Sequence, residues 1–300
     1  MTAALDIAEN QLLSMESPVV RGRSILVGCP GCGESPCVGR HGCVWESHVV
    51  GKPRFANAVL WHKDLVAKAQ IYASGSPERA NHDRVVCLLC IVIQASAHEP
   101  LFEWLLDHLR PSEFTDGSHP EHPHWVSTRG FGDKFSKAIP PPPESPDELR
   151  DAHRFAQQWS PLMPHTSAAD KRRLCAWGER MTKLLANLQT NLFYLDQNTI
   201  GMYRDACQLQ HSCRPNACVQ GMTDGALIVR SLRPLRKGER VSFCYMNDGP
   251  VENVALCEQM PLETRRKMLE DSAGFICRCE VCEEEERIRR SSVNLRDWQS

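Results

Sequence analysis

Cys277, Cys279 and Cys282 stand in the run FICRCEVC, a CxCxxC spacing too tight for disulfides among its own members. As thiolates they supply three of the four donors of a tetrahedral zinc site, so a fourth ligand must come from elsewhere in the chain. A second group lies near the start: Cys29, Cys32, Cys37, His41, Cys43 and His48 could hold one zinc through four of their number, or stand as a metal-free loop. With 15 cysteines and a start, MTAALDIAENQ, that lacks the basic-then-apolar pattern of a secretory signal, the expectation is a reducing, intracellular setting, nucleus or cytoplasm. Clustered cysteines then read as ligands rather than as a disulfide framework. Cys87 and Cys90 sit inside an apolar helical pattern and read as core. His119, His122 and His124 fall among prolines and read as a solvated loop. No HExxH or comparable open ligand set is present, which argues against a zinc hydrolase.

Two further segments carry chemistry, HSCRPN from His211 to Asn216 and KGERVSFCY from Lys237 to Tyr245. Together with CxCxxC, their order and spacing resemble the SET family in its SET-MYND form: an NHSCxPN segment, a GEE-type turn into a strand with a tyrosine, then a post-SET cysteine element. TNLFYL at Thr190 to Leu195 and IGMY at Ile200 to Tyr203 match the same family's run-up to NHSC. The resemblance implies a protein lysine methyltransferase that uses S-adenosylmethionine and acts on a lysine-bearing protein, histone or not. Methyl transfer to an amine is an in-line displacement, so the protein has mainly to align a neutral amine and exclude water.

Carried onto this chain, the resemblance makes Tyr245 the catalytic hydroxyl and assigns Asn191, Gln210 and His211 to the cofactor. Phe275 would stack on the adenine, Asn216 would secure the threaded backbone, and Cys213 would be the fourth zinc ligand. Gln210 departs from the pattern, which has Asn there; the extra methylene displaces an amide whose lost hydrogen bond to a charged group would cost about 1.5–3 kcal/mol. The early Cys/His group resembles the second half of a MYND finger, with the first cysteine pair and the last cysteine missing, and MYND modules take proline-containing peptides. ALDIAENQLLSMESPVV resembles the stretch after the family's GxG cofactor loop, so the chain is expected to begin just beyond that loop. Two functional readings are open, an enzyme or a non-catalytic interaction module.

The elements that must hold these residues are legible in outline. LLSMESPVV reads as a strand, Phe55 to Arg110 as buried helices centred on RVVCLLCIVIQ, and 111–164 as a proline-rich surface loop. A helix resumes near Ala168, GALIVRSL and RVSFCYM read as strands, and PLETRRKMLED is a final helix. The expected organisation is N-terminal SET strands at 1–27, a partial MYND-like finger at 28–52 and a helical insertion at 53–188. The SET core at 189–249 and the post-SET element with a charged tail at 250–300 complete an α+β fold of short antiparallel sheets. A net charge of −2 gives no general attraction to nucleic acid or anionic membrane. No apolar run approaches the ~20 residues of a bilayer span.

Overall fold

The computed structural model describes residues 2–23, 29–30, 45, 49, 51–74, 76–109, 134–145, 148, 150–151, 167–196, 199–246, 257 and 259–297. These fall into two compact units, one spanning Val19–Met202 and the other combining Met1–Pro18 with Tyr203–Ser300. No single helix among the described residues is long and apolar enough to cross a membrane. The mixture of helices and short sheets is the α+β class expected from the sequence, and among the described residues all strand pairs but one are antiparallel.

LLSMESPVV is two strands rather than one. Pro18 lacks the N–H a ladder needs, so β1 (Leu12–Glu16) ends before it and β2 (Val20–Arg23) begins after it in a different sheet.

The Val19–Met202 unit packs helices α1 (Ala56–Ala69), α2 (Pro77–Ala97), α3 (Glu99–Asp107) and α4 (Ala168–Gln189) with a sheet of β2, β3 (Phe193–Asp196) and β4 (Thr199–Met202). The strand order is β2-β4-β3. Ser76 caps α2 by accepting from the Arg79 N–H at 3.1 Å, and Ser167 caps α4 by accepting from the Asp170 N–H at 2.9 Å. Every residue from Val86 to Ile93 is buried, as an all-round apolar helix requires. Cys87 and Cys90 are part of that core. α4 instead buries a stripe, Trp177, Met181, Leu184, Leu185 and Leu188, at helical spacing, and is buried all round only in its last turns, where Ala186, Asn187 and Gln189 are covered as well.

α2 lies directly on β2. A Cβ on Gly22 would stand 2.2 Å from the Cys87 carbonyl oxygen, so the strand accepts only glycine there. Gly22→Ala is expected to destabilise the protein by about 3 kcal/mol through overpacking against backbone; urea melts that agree within experimental error would dismiss this close approach. His62, on α1, is buried beside Trp45. Burial lowers its pKa to about 4, with the Arg23 backbone acting against it and Lys63 with it. The unfolded chain binds a proton at His62 below about 6.5 that the native chain refuses until about 4, so stability is lost as pH falls through that window. The loss is expected to reach about 3 kcal/mol. Denaturant melts at pH 7 and 4.5 test it, because His62→Leu should flatten the difference, and an unchanged difference would assign it to other groups.

The proline-rich stretch departs from expectation. Within 111–164, residues 134–138 are helical, and Phe135 and Ile139 are wholly buried. Two apolar residues four apart suffice for one inward-facing turn before the prolines from 140 stop it. The Trp177 indole N–H donates to the Ile139 carbonyl at 2.7 Å, anchoring that turn on α4.

The second unit has an antiparallel sheet ordered β1-β7-β6, with β6 at Ala217–Gly221 and β7 at Leu227–Ser231. Its register pairs Leu12 with Arg230 and Ala217 with Ser231. A short parallel pair joins β5 (Gln210–His211) to β8 (Ser242–Phe243), and RVSFCYM otherwise contributes a single antiparallel bridge, Arg240 to Thr2. Helices α5 (Leu262–Ala273) and α6 (Glu280–Asp297) complete it. Gly274, at φ 71°, takes the left-handed conformation that ends α5 and turns the chain into Phe275.

Candidate metal centre and active site

Cys213 leaves the end of β5, Cys277 and Cys279 lie between α5 and α6, and Cys282 opens α6. The four sulfurs all lie within 4.8 Å of one another. Cys213 Sγ is 3.5 Å from Cys282 Sγ and 4.0 Å from Cys277 Sγ. Four thiolates on a zinc at about 2.3 Å would stand about 3.8 Å apart, so the set fits tetrahedral zinc. Three of the four side chains are buried and Cys279 partly so. Hydrogen bonds from Cys213 and Cys277 hold the Cys279 thiol far below its ordinary range, the direction that ligation as a thiolate needs.

A zinc held by four thiolates would carry a net double negative charge, and a cation stands beside the cluster to meet it. Arg265 of α5 is wholly buried. Its Nη2 stands 3.8 Å from Cys282 Sγ and 2.9 Å from Glu285 Oε1, and its Nη1 donates to the Met260 carbonyl. In TRRKMLED this arginine looks like any solvated helix charge, and only its helical offset from the apolar Leu262 and Leu269 hints at an inward direction.

Asn216 is the clamp of the HSCRPN segment. Its Nδ2 donates to the Arg240 carbonyl at 2.8 Å and to Glu239 Oε1 at 3.1 Å, and its Oδ1 accepts from the Ser242 N–H at 2.9 Å. Side chain and ladder together therefore fix the 210–216 segment against 239–243. That places His211 beside Tyr245: the imidazole Nδ1 accepts the Tyr245 backbone N–H at 3.1 Å. With Nδ1 accepting, the ring proton sits on Nε2, which is 3.4 Å from Cys213 Sγ and donates to it. Burial lowers the His211 pKa to about 4, so the ring is neutral. One imidazole thus joins the sulfur cluster to the tyrosine's backbone.

The rings of His211, Tyr245 and Phe275 form one group. Centroid distances are 5.3 Å for His211 to Tyr245 and 6.0 Å from Phe275 to each of the others. The Tyr245 hydroxyl donates to the Leu209 carbonyl at 2.6 Å. Burial first, then Cys207, raises its pKa to about 12, so the phenol keeps its proton. Gln210 is exposed, and its Oε1 accepts from Arg240 Nη1 at 2.7 Å. This pairing joins Gln210, where the chain departs from the family pattern, to the last residue of the KGER turn. The spacing of the motifs says nothing of it.

Asn191 belongs to the Val19–Met202 unit. There its Nδ2 donates to the Asn187 carbonyl at 2.7 Å and to Thr190 Oγ1 at 3.0 Å. Of the early Cys/His group, only Cys29 is among the described residues, and it is buried; Cys32, Cys37, His41, Cys43 and His48 lie outside them. So do His119, His122 and His124.

The SET domain family model matches residues 76–246, more than half of the 300-residue chain, and the chain belongs to that family. The relatives it resembles include SET-MYND proteins. It is 35% identical over 91 residues to a histone-lysine N-methyltransferase SET5 of Meyerozyma guilliermondii, covering 29% of this chain and 17% of that protein. It is 31% identical over 88 residues to the mouse histone-lysine N-methyltransferase SMYD3, covering 29% and 18%. A third relative is the SET domain and MYND-type zinc finger protein 6 of Schizosaccharomyces pombe, 28% identical over 142 residues, covering 45% and 27%. The chain thus matches well under a third of the length of each.

Proposed function

We propose that this protein is a protein lysine N-methyltransferase that takes its methyl group from S-adenosylmethionine, with histone or other protein substrates. The observation that carries the proposal is the convergence of His211, Tyr245 and Phe275 beside a four-cysteine centre, in a chain of the SET family. When bound, the cofactor would supply an electrophilic methyl on a sulfonium. Phe275 would offer its face to the adenine, and Gln210 and His211 would line the cofactor's polar edge. The zinc held by Cys213, Cys277, Cys279 and Cys282 would be structural, since all four donors come from the protein and no open position is needed.

Tyr245 would work as a protonated phenol. Its O–H is committed to the Leu209 carbonyl, which leaves the oxygen lone pairs to accept an N–H of a neutral lysine amine. Accepting that N–H turns the nitrogen lone pair along one direction, the alignment an in-line displacement demands. The pKa of about 12 keeps this polarity across the physiological range.

The Gln210 to Arg240 pairing favours a second reading, a non-catalytic interaction module, because it ties up an amide that the enzyme reading gives to the cofactor. Calorimetric titration of zinc-loaded protein with S-adenosylmethionine separates the two. The enzyme reading expects saturable binding, tightened by Gln210→Asn by roughly tenfold, the worth of one hydrogen bond to a charged group. Absence of binding at millimolar cofactor would leave the interaction module standing.

A further inference from the structure

Cys244 and Cys257 lie outside the four-ligand centre and have no part in the proposed reaction. Their sulfurs are 3.0 Å apart. Both are buried, at 3% and 1% exposure, in one apolar cluster with Leu262, Leu269 and the zinc-site cysteines. Cys244 stands between β8 and Tyr245, and Cys257 precedes α5. A disulfide holds its sulfurs at about 2.05 Å, so bonding requires roughly 1 Å of further approach, within reach of small side-chain and backbone shifts. Cys257 also contacts Cys213, but zinc's four positions are filled without it.

We infer that Cys244 and Cys257 are a modification site, a thiol pair that closes into an intrachain disulfide when the protein meets a hydroperoxide. One sulfur, as thiolate, attacks the peroxide oxygen; the O–O bond breaks, sulfenic acid forms and, for hydrogen peroxide, the leaving hydroxide takes up a proton as water. The second sulfur then attacks the sulfenic sulfur and expels the other oxygen as a second water. Two thiols have lost two electrons and two protons, and one peroxide has been reduced to two waters. The pair wins over the four ligands because zinc occupies the ligands' reactive lone pairs. Burial makes the first step slow and dependent on local opening, so the disulfide accumulates under sustained peroxide exposure rather than acting as a rapid sensor. Once formed, it ties the segment between β8 and Tyr245 to the chain just before α5. This inference stands on the sulfur geometry and holds whether or not the chain is an enzyme.

The test uses the zinc-loaded full chain incubated with hydrogen peroxide until alkylation of the denatured, chelator-treated protein becomes constant. Cys244 and Cys257 share one tryptic peptide, 241–265, since no lysine or arginine intervenes before Arg265. The expected result is loss of both alkyl groups from that peptide and a mass lighter by two hydrogens, at peroxide doses that leave the zinc-to-protein ratio unchanged. In Cys257→Ser the same peptide should remain alkylated at Cys244. The inference is overturned if the wild-type peptide stays doubly alkylated while other cysteines oxidise. It is equally overturned if either thiol is found bonded to one of the four ligands with zinc released.

Discussion

Cys282→Ser protein should carry one zinc ion fewer per chain than wild type when measured by plasma emission, and should lose the cooperative melting of the unit that contains α5 and α6. Serine is a poor zinc donor at neutral pH, and the three sulfurs left cannot complete the tetrahedron. The effect is expected to be large because metal binding and folding share one free energy, on the order of 10 kcal/mol in small zinc modules. That is comparable with the whole stability of a typical domain. A second loss adds to it, since the buried Arg265 guanidinium would face an uncharged hydroxyl in place of a thiolate. Equal zinc content and an equal melting midpoint in the variant would show that the four sulfurs do not form a shared centre. Position 282 suits the test better than 213, because Cys257 lies in contact with Cys213 and could take its place.

Tyr245→Phe should lower turnover by about 10²-fold, the scale of a positioned hydroxyl acting on a reacting amine, or shift the number of methyl groups delivered. The affinity for S-adenosylmethionine should stay within twofold. The asymmetry comes from geometry: phenylalanine keeps the ring contacts with His211, Phe243 and Phe275 and forfeits only the hydroxyl. It also strands the Leu209 carbonyl, a stability cost of about 1 kcal/mol. Single-turnover kinetics with calorimetry decide the matter. Unchanged turnover and methylation state would remove Tyr245 from the chemistry, whereas lost cofactor binding would make it a scaffold residue.

What could be read from the amino-acid string alone depended on whether the information was local. The CxCxxC run, the HSC segment and the tyrosine strand are short words whose spacing carries their meaning, and their residues meet in one unit. α4 was legible because burial prints a period on the sequence, and α2 because its apolar run is too long for an ordinary strand. Failures came where a neighbour distant in the chain decides the outcome. Phe135 and Ile139 look like strays in a polar, proline-rich stretch until Trp177 is placed against them. Arg265 looks solvated until Cys282 stands beside it, and Gln210 looks like a plain substitution until Arg240 is seen to hold it. Pro18 marked the break in LLSMESPVV, yet nothing nearby revealed that the two halves join different sheets.

The pairing of β1 with β7 sets a condition on biosynthesis. Leu12 finds its ladder partner at Arg230, so the ribosome must emit more than two hundred further residues before that strand can be satisfied. At 5–20 residues per second the wait is roughly 10–45 s. Throughout it, β1 presents unsatisfied backbone groups and the exposed side chains of Leu12 and Met15. The Val19–Met202 segment can meanwhile form its own helices and sheet, since among the described residues its strands pair only with one another. The nascent chain therefore gives a holdase or the ribosome surface a defined client for tens of seconds, an early strand awaiting a late one.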